Sequence, residues 1–243
     1  SLYNCHNMIF ISQPTFLPWI GYFDLIDQSD LFIILDDAKF EKQSWQQRNR
    51  FKTQNGFELF TIPVLSNNQG LINEILIFNS KKIKNKFINF LNTNYSKAKY
   101  FEKYSPLFKE LFIKCVETKS LCYLNINLIE LCLRILGIKK KIIYSSELKI
   151  KKKKSEKLIE ICKHNNQNDY LSTTGAKEYL LQDKQKFLDE GINVYIHNYE
   201  CSKYKQLHEP FKSHLSILDL IFNEGNNSIN VIRSGRKKSK KLL

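Results

Sequence analysis

The chain has 243 residues, 42% of them hydrophobic, and its 38 Lys and Arg outweigh 24 Asp and Glu for a formal net charge of +14. That suits one large globular core, or a core with a helical annex, and no apolar run approaches the roughly 18 residues that a bilayer span requires. The N-terminus lacks the order of a secretion signal. Six cysteines (Cys5, Cys115, Cys122, Cys132, Cys162 and Cys201) have no metal-ligand spacing, so the expectation is a cytoplasmic protein with free thiols.

Met8, Ile9, Phe10 and Ile11 form a short apolar run, and a second begins at Leu31 and ends at Leu35-Asp36-Asp37. Runs of this length bounded by turn residues predict buried parallel strands. Between them Ile20, Phe23, Leu25 and Ile26 recur at roughly helical spacing, which makes a βαβ unit. Its proline-rich loop then lies over the carboxyl end of the first strand, where open parallel sheets bind ligands. Residues 39–50 are polar around one large aromatic, Trp45. Residues 51–53 and 59–64 predict a hairpin turning at Asn55-Gly56, a pair that favours a type I′ turn. Residues 71–78 predict a further strand.

Ser80 is expected to cap a helix with Ile83, Phe87, Phe90 and Leu91 on one face. Pro106 suits the first position of a helix reaching 117. Ser120 opens another, with Leu121, Leu124, Leu128, Leu131 and Ile135 inward and Gly137 as its stop. A short strand at 141–145, a lysine-rich surface segment and a helix from Ser155 to Cys162 follow. Residues 170–180 read as strand, small-residue turn and helix, and 194–196 as a strand. Helices at 216–223 and 228–233, with Gly225 and Gly235 as stops, come last. The fold class is therefore α/β: residues 1–79 form the N-terminal part of the core, 80–137 a helical insertion, and 138–243 the C-terminal α/β part and closing helices.

The charge is uneven. Residues 1–79 hold five Lys or Arg against eight Asp or Glu, and the remainder 33 against 16. The excess lies in Lys139-Lys140-Lys141, in 149–154 and in the tail from Arg233. These runs lack the interleaved aromatics of a nucleic-acid groove and read as solvated faces and a frayed tail, so no nucleic-acid partner is expected. Their field still attracts anions.

The segments Gln13-Pro14-Thr15-Phe16-Leu17-Pro18-Trp19-Ile20-Gly21-Tyr22-Phe23, Leu35-Asp36-Asp37 and Ser44-Trp45-Gln46-Gln47-Arg48-Asn49-Arg50 resemble the WbqC-like family. Tyr170-Leu171-Ser172 with Gly175-Ala176, Tyr204-Lys205-Gln206 and the run 215–223 extend the match over nearly all of the chain. The resemblance implies a bacterial protein of surface-polysaccharide gene clusters, often those making O-antigen. Residues 19–26 also resemble the HIGH-motif enzymes, among them pantothenate synthetase and the nucleotidylyltransferases. That likeness implies a Rossmann-like parallel sheet whose first loop holds ATP phosphates. Gly21 keeps the motif's glycine, which lets the helix approach the nucleotide, but Trp19 and Tyr22 stand where it has histidines. Neither supplies the positive charge that stabilises a phosphoryl transition state. Cations must come from elsewhere, with Arg48, Arg50 and Lys52 nearest in sequence, or the ATP chemistry is gone.

The residues alone suggest roles. Asp36 and Asp37 end a strand beside the prolyl loop. Neighbours on a strand face opposite ways, so one carboxylate should enter the cleft, to hold Mg²⁺ or to serve as a base. Arg48 and Arg50 can fork phosphates, Gln47 and Asn49 can bond sugar hydroxyls or a nucleobase edge, and Trp45 offers a stacking face. Ser172, Thr173 and Gly175 precede a helix whose N-terminus favours anions, with Thr174 as its cap. Among the histidines none has metal spacing, and each reads as structural or exposed; His208, near Gln206, is the best base.

The first functional expectation is an enzyme that transfers a small acyl or aminoacyl group to the amine of a nucleotide-linked amino sugar. The likeness to pantothenate synthetase, which makes an amide through an adenylate, admits ATP with Mg²⁺ as cofactor. Gln13, Pro14 and the rest of the prolyl loop, with Trp19, Gly21 and Tyr22, would position the donor; Asp36 or Asp37 would accept the amine proton. The alternative is a non-catalytic subunit that holds a nucleotide-sugar for partner enzymes.

Overall fold

The computed structural model describes residues 7–65 and 70–243; Cys5 lies outside them. Strand β1 (Met8–Ser12), helix α1 (Ile20–Gln28) and strand β2 (Leu31–Ile34) form the expected βαβ unit, with the strands parallel and Ile9 level with Leu31. Alternate strand residues face opposite ways. Phe10, Phe32 and Ile34 join one hydrophobic core, and Ile9, Ile11, Leu31 and Ile33 join another. Both sheet faces are thus covered, which is why these strands are apolar throughout.

Strands β3 (Arg48–Thr53) and β4 (Gly56–Thr61) make a separate antiparallel hairpin. Thr53 pairs with Gly56, so the turn falls on Gln54 and Asn55, one residue earlier than expected. Gly56 supplies its positive φ of 115° just after the turn rather than inside it. Residues 71–78 do not form the expected strand. Ile72–Glu74 is a 3₁₀ turn, and its flanks meet other segments through the isolated bridges Lys39–Leu71, Val64–Ile77 and Leu76–Ser120. The alternating apolarity records one buried side, Ile75 and Ile77, of an extended segment without a ladder.

Helices α2 (Ser80–Tyr95), α3 (Phe101–Glu117) and α4 (Leu121–Leu136) pack in sequence onto the Phe10 side. Asn79, not Ser80, caps α2, accepting from the Lys82 amide at 3.2 Å. Pro106 lies inside α3, which begins at Phe101; burying Phe101, Tyr104, Phe108 and Phe112 along one face outweighs the lost backbone hydrogen bond. Helix α4 follows expectation, with Ser120 capping it and Gly137 closing it at φ 71°.

The second half contributes β5 (Lys141–Tyr144), α5 (Lys154–His164), β6 (Asp169–Ser172), α6 (Lys177–Gln182), α7 (Lys184–Asp189) and β7 (Asn193–Ile196). Helices α8 (Ile217–Glu224) and α9 (Ser228–Ser234) and strand β8 (Lys240–Lys241) follow. The sheet order is β5-β2-β1-β6-β7-β8, parallel except for β8. Counting only the strands of this sheet, that is the 3-2-1-4-5-6 order of a Rossmann-like, doubly wound fold. The chain runs outward from β1 to β2 and β5, then returns to β6 on the other side of β1. The carboxyl ends of β1 and β6 flank this switch point.

The C-terminal tail is not frayed. Lys240 and Lys241 pair with Ile196 and Tyr195, and Arg233 and Arg236 make ion pairs with Asp27 and Asp24 of α1. Partners more than 200 residues away are invisible to local composition. The five described cysteines are free. No helix among the described residues is long and apolar enough to cross a membrane.

Candidate functional site

The prolyl loop leaves β1 at the switch point and is pinned by three side chains. The Tyr22 hydroxyl donates to the Gln13 carbonyl at 2.9 Å. Asn49 Nδ2 donates to the Phe16 and Leu17 carbonyls at 3.1 and 2.9 Å, and Asn125 Nδ2 to those of Pro14 and Gln46 at 2.9 and 2.7 Å. These donors hold Leu17 at a φ of 41°, a left-handed conformation that costs a non-glycine residue free energy. Gln13 Oε1 accepts from Gln46 Nε2 at 2.6 Å. Burial pushes the Tyr22 phenol well above its ordinary range, so it stays protonated and donating. Gly21 is needed for a local reason: a Cβ there would come within 2.1 Å of the Trp19 indole, which folds back over the first turn of α1.

Asp36 and Asp37 lie beyond β2, and the expectation that they face opposite ways fails because the pleat ends with the ladder. Both reach the start of the turn after β5. Asp36 accepts from the Ser146 amide at 2.9 Å, Ser146 Oγ at 2.6 Å and Ser145 Oγ at 3.2 Å. Asp37 accepts from Ser145 Oγ and pairs with Lys157 Nζ at 2.6 Å. The ammonium already seated on Asp37 opposes a divalent cation, which needs acceptor oxygens around it. As arranged, the pair does not fit Mg²⁺.

On β6, beside β1, Ser172 is buried; its hydroxyl accepts from Tyr170 at 3.3 Å, and its carbonyl accepts from the His197 amide at 2.9 Å. Its side chain therefore points inward, not to the cleft. Thr173 precedes a 3₁₀ turn, Thr174–Ala176, and the short α6. The expected Thr174 cap does not form, and Gly175 is exposed with open space around it.

On β3 a basic row is built by strand geometry. Arg48, Arg50 and Lys52 alternate onto one face, opposite Thr61, Leu59 and Phe57, while buried Phe51 packs on Phe16 and Phe60. The amides expected to meet a ligand are spent elsewhere. Gln47 Oε1 accepts from the Gln43 amide at 2.7 Å and its Nε2 donates to the Ile62 carbonyl at 3.0 Å, while buried Asn49 holds the prolyl loop. The Arg50 guanidinium lies 5.0 Å from the Trp45 ring and 5.4 Å from that of Phe57, both 46% exposed. Such contacts are cation–π pairs.

Lys52 is 1% exposed, and neither its Nζ nor the buried Nε of Arg48 has a hydrogen-bond partner among the described residues. The charge facing Lys52 most strongly is that of Asp219, which is fully buried and accepts from Tyr204 Oη at 2.6 Å and Gln206 Nε2 at 3.0 Å. Burial pushes the Asp219 carboxyl up to about 6, against the pull of Tyr204, Tyr95, Gln206 and Lys52. Burial likewise lowers the Lys52 amine, which Asp219 partly restores.

Trp19 joins this row to the sheet. It bridges Ser216, whose amide donates to the Arg50 carbonyl at 2.8 Å, and the Ile217 amide donates to the Pro18 carbonyl at 2.8 Å. Its indole stacks on His214 at 4.8 Å and 19°, and meets Tyr199 and His197 edge-on at 5.8 and 6.5 Å. His197 Nε2 lies 2.7 Å from Asp24, which also holds Arg236 at 2.8 Å. The histidines beside the loop are thus His214 and His197, not His208. Asp219, Tyr204 and His214 are functional candidates that sequence reasoning missed. For Tyr204 and His214 the available signal was the irregular segment between β7 and α8, since a long unstructured connection in a compact fold is often functional; Asp219 lies on α8 and had no such signal.

The profile of the WbqC-like protein family matches residues 13–231. A curated relative, uncharacterized protein Rv1507c of Mycobacterium tuberculosis, is 33% identical over 230 residues, which cover 93% of this chain and 98% of that protein. No solved structure matches the chain significantly. The matched span runs from Gln13 of the prolyl loop through β3 and α8 into α9, and the chain belongs to the WbqC-like protein family.

Proposed function

We propose that this protein is a cytoplasmic enzyme of bacterial surface-polysaccharide assembly that transfers an acyl or aminoacyl group to the amine of a nucleotide-linked amino sugar. The pathway rests on what the family resemblance implies. One observation carries the chemistry: three cations in a row on β3, two with buried nitrogens that have no hydrogen-bond partner among the described residues, beside two half-exposed rings. Arg48 and Arg50 fork the diphosphate, and Trp45 or Phe57 stacks on the base. Burial strengthens the attraction of Arg48 and Lys52 for an anion.

In this reading Gln13 and the prolyl loop position the donor, with ATP as the co-substrate that activates its carboxylate. Thr173 and Gly175 close the cleft from the neighbouring strand. The partners that occupy the Asp36 and Asp37 carboxylates favour the second reading, a subunit that binds the nucleotide-sugar without turning it over. Incubation with nucleotide-linked amino sugars and acyl or amino-acid donors, with and without ATP and Mg²⁺, followed by mass spectrometry, separates the two. An acylated sugar supports the enzyme. Nucleotide binding that Arg50→Ala weakens about tenfold or more, with no product across the panel, supports the binding subunit.

A further inference from the structure

His214 is built into the cleft in a way that packing alone does not require. Its backbone holds a φ of 59°, unfavourable for a side-chain-bearing residue, and its ring lies flat on Trp19. Nδ1 contacts Ser213 Oγ at 2.8 Å, which directs Nε2 outward; no hydrogen bond reaches Nε2 among the described residues, and the residue is exposed. The ring stands within the field of Arg50, whose guanidinium lies on Trp45 and Phe57.

We propose that His214 is the proton-accepting residue of this site, taking a proton through Nε2 from a substrate ammonium whose phosphate is held by Arg50. The inference rests on the reading of the hairpin face as a nucleotide-sugar site, and it assigns the base to a residue outside the aspartate pair. The step balances simply: one N–H bond of the ammonium breaks, one forms at Nε2, and the amine keeps the lone pair it needs to attack. Partial desolvation of the ring and the Arg50 charge both lower the imidazole from its ordinary value, so it is neutral and able to accept at neutral pH. The other groups packed around it add little charge. Trp19 is apolar at the contact, His197 lies across the indole, and burial keeps the nearby Cys201 thiol protonated. A phosphate on Arg50 would cancel the repulsion and stabilise the imidazolium, making the loaded site the stronger base.

Histidine Cε1–H resonances followed by NMR between about pH 5 and 8 test this, with His214 assigned by the peak lost in His214→Gln. UDP, binding measured by calorimetry, is the probe; uridine is the control. The expected result is that UDP raises the His214 midpoint by about half a unit or more, while uridine leaves it unchanged. In Arg50→Ala the midpoint should start higher and stay fixed on adding UDP. Bound UDP with an unmoved His214 midpoint overturns the inference and leaves the nucleotide reading standing. Absence of UDP binding overturns that reading, and the inference with it.

Discussion

Gly21 and Gly175 were candidates of the same kind, and their surroundings separate them. An alanine at 21 places its Cβ inside the Trp19 ring, so the indole must leave its stack on His214. Gly21→Ala should cost about 1–3 kcal/mol, read from the urea midpoint, with a changed tryptophan emission. Gly175→Ala meets nothing within 4 Å among the described residues and should stay within about 0.5 kcal/mol of the parent. Asp219 carries a pH signature. Its folded carboxyl sits near 6 against an ordinary 3.8, so the folded chain binds this proton more tightly than the unfolded chain. The resulting stabilisation is full below the unfolded value and is lost as pH rises through the folded one. Lowering pH from about 7 to about 5 should therefore shift the stability difference between wild type and Asp219→Asn toward the wild type by about 1 kcal/mol. A difference that does not move with pH would place the carboxyl at its ordinary value.

At the scale of elements, the prolyl loop was legible as a loop over a strand end, because apolar runs and prolines are local signals. Its conformation was not, because it depends on donors from β3 and α4. Asn125 lies among the buried leucines of α4, and its two acceptors come from separate segments. Removing its amide leaves two carbonyls without that donor. Asn125→Ala should cost about 3 kcal/mol, measured by chemical denaturation. A loss below about 0.5 kcal/mol would mean that the loop holds its shape without this pin. Pro106 and residues 71–78 misled for the converse reason: a local preference was overridden where a continuous apolar face, or the absence of a neighbouring strand, decided the outcome.

For the whole molecule, the tail closes the fold through charge. Asp24 is fully buried and depends on Arg236 and His197, whereas the Arg233 side chain is 52% exposed on its bond to Asp27. Replacing Arg236 with Met should cost about 3–5 kcal/mol, since it strips a buried carboxylate of its guanidinium. Arg233→Met should change stability by about 1 kcal/mol or less. Comparable losses in thermal denaturation for the two variants would contradict the assignment of Asp24 as the buried anchor.

The α/β class, the βαβ unit, most helices and the capped ends of α4 are legible in the residues alone, because periodicity, caps and breakers act within a few residues. The sequence also marked Arg48, Arg50, Lys52, Trp19 and Trp45 as worth examining. That β6 lies beside β1, that Trp19 rests on His214, that Lys52 faces Asp219 and that the basic tail binds α1 emerge from the folded chain. Those pairings join residues far apart in the chain. They are selected by which apolar faces can be buried together and which buried charges must then find partners, and neither condition is written in any local stretch of sequence.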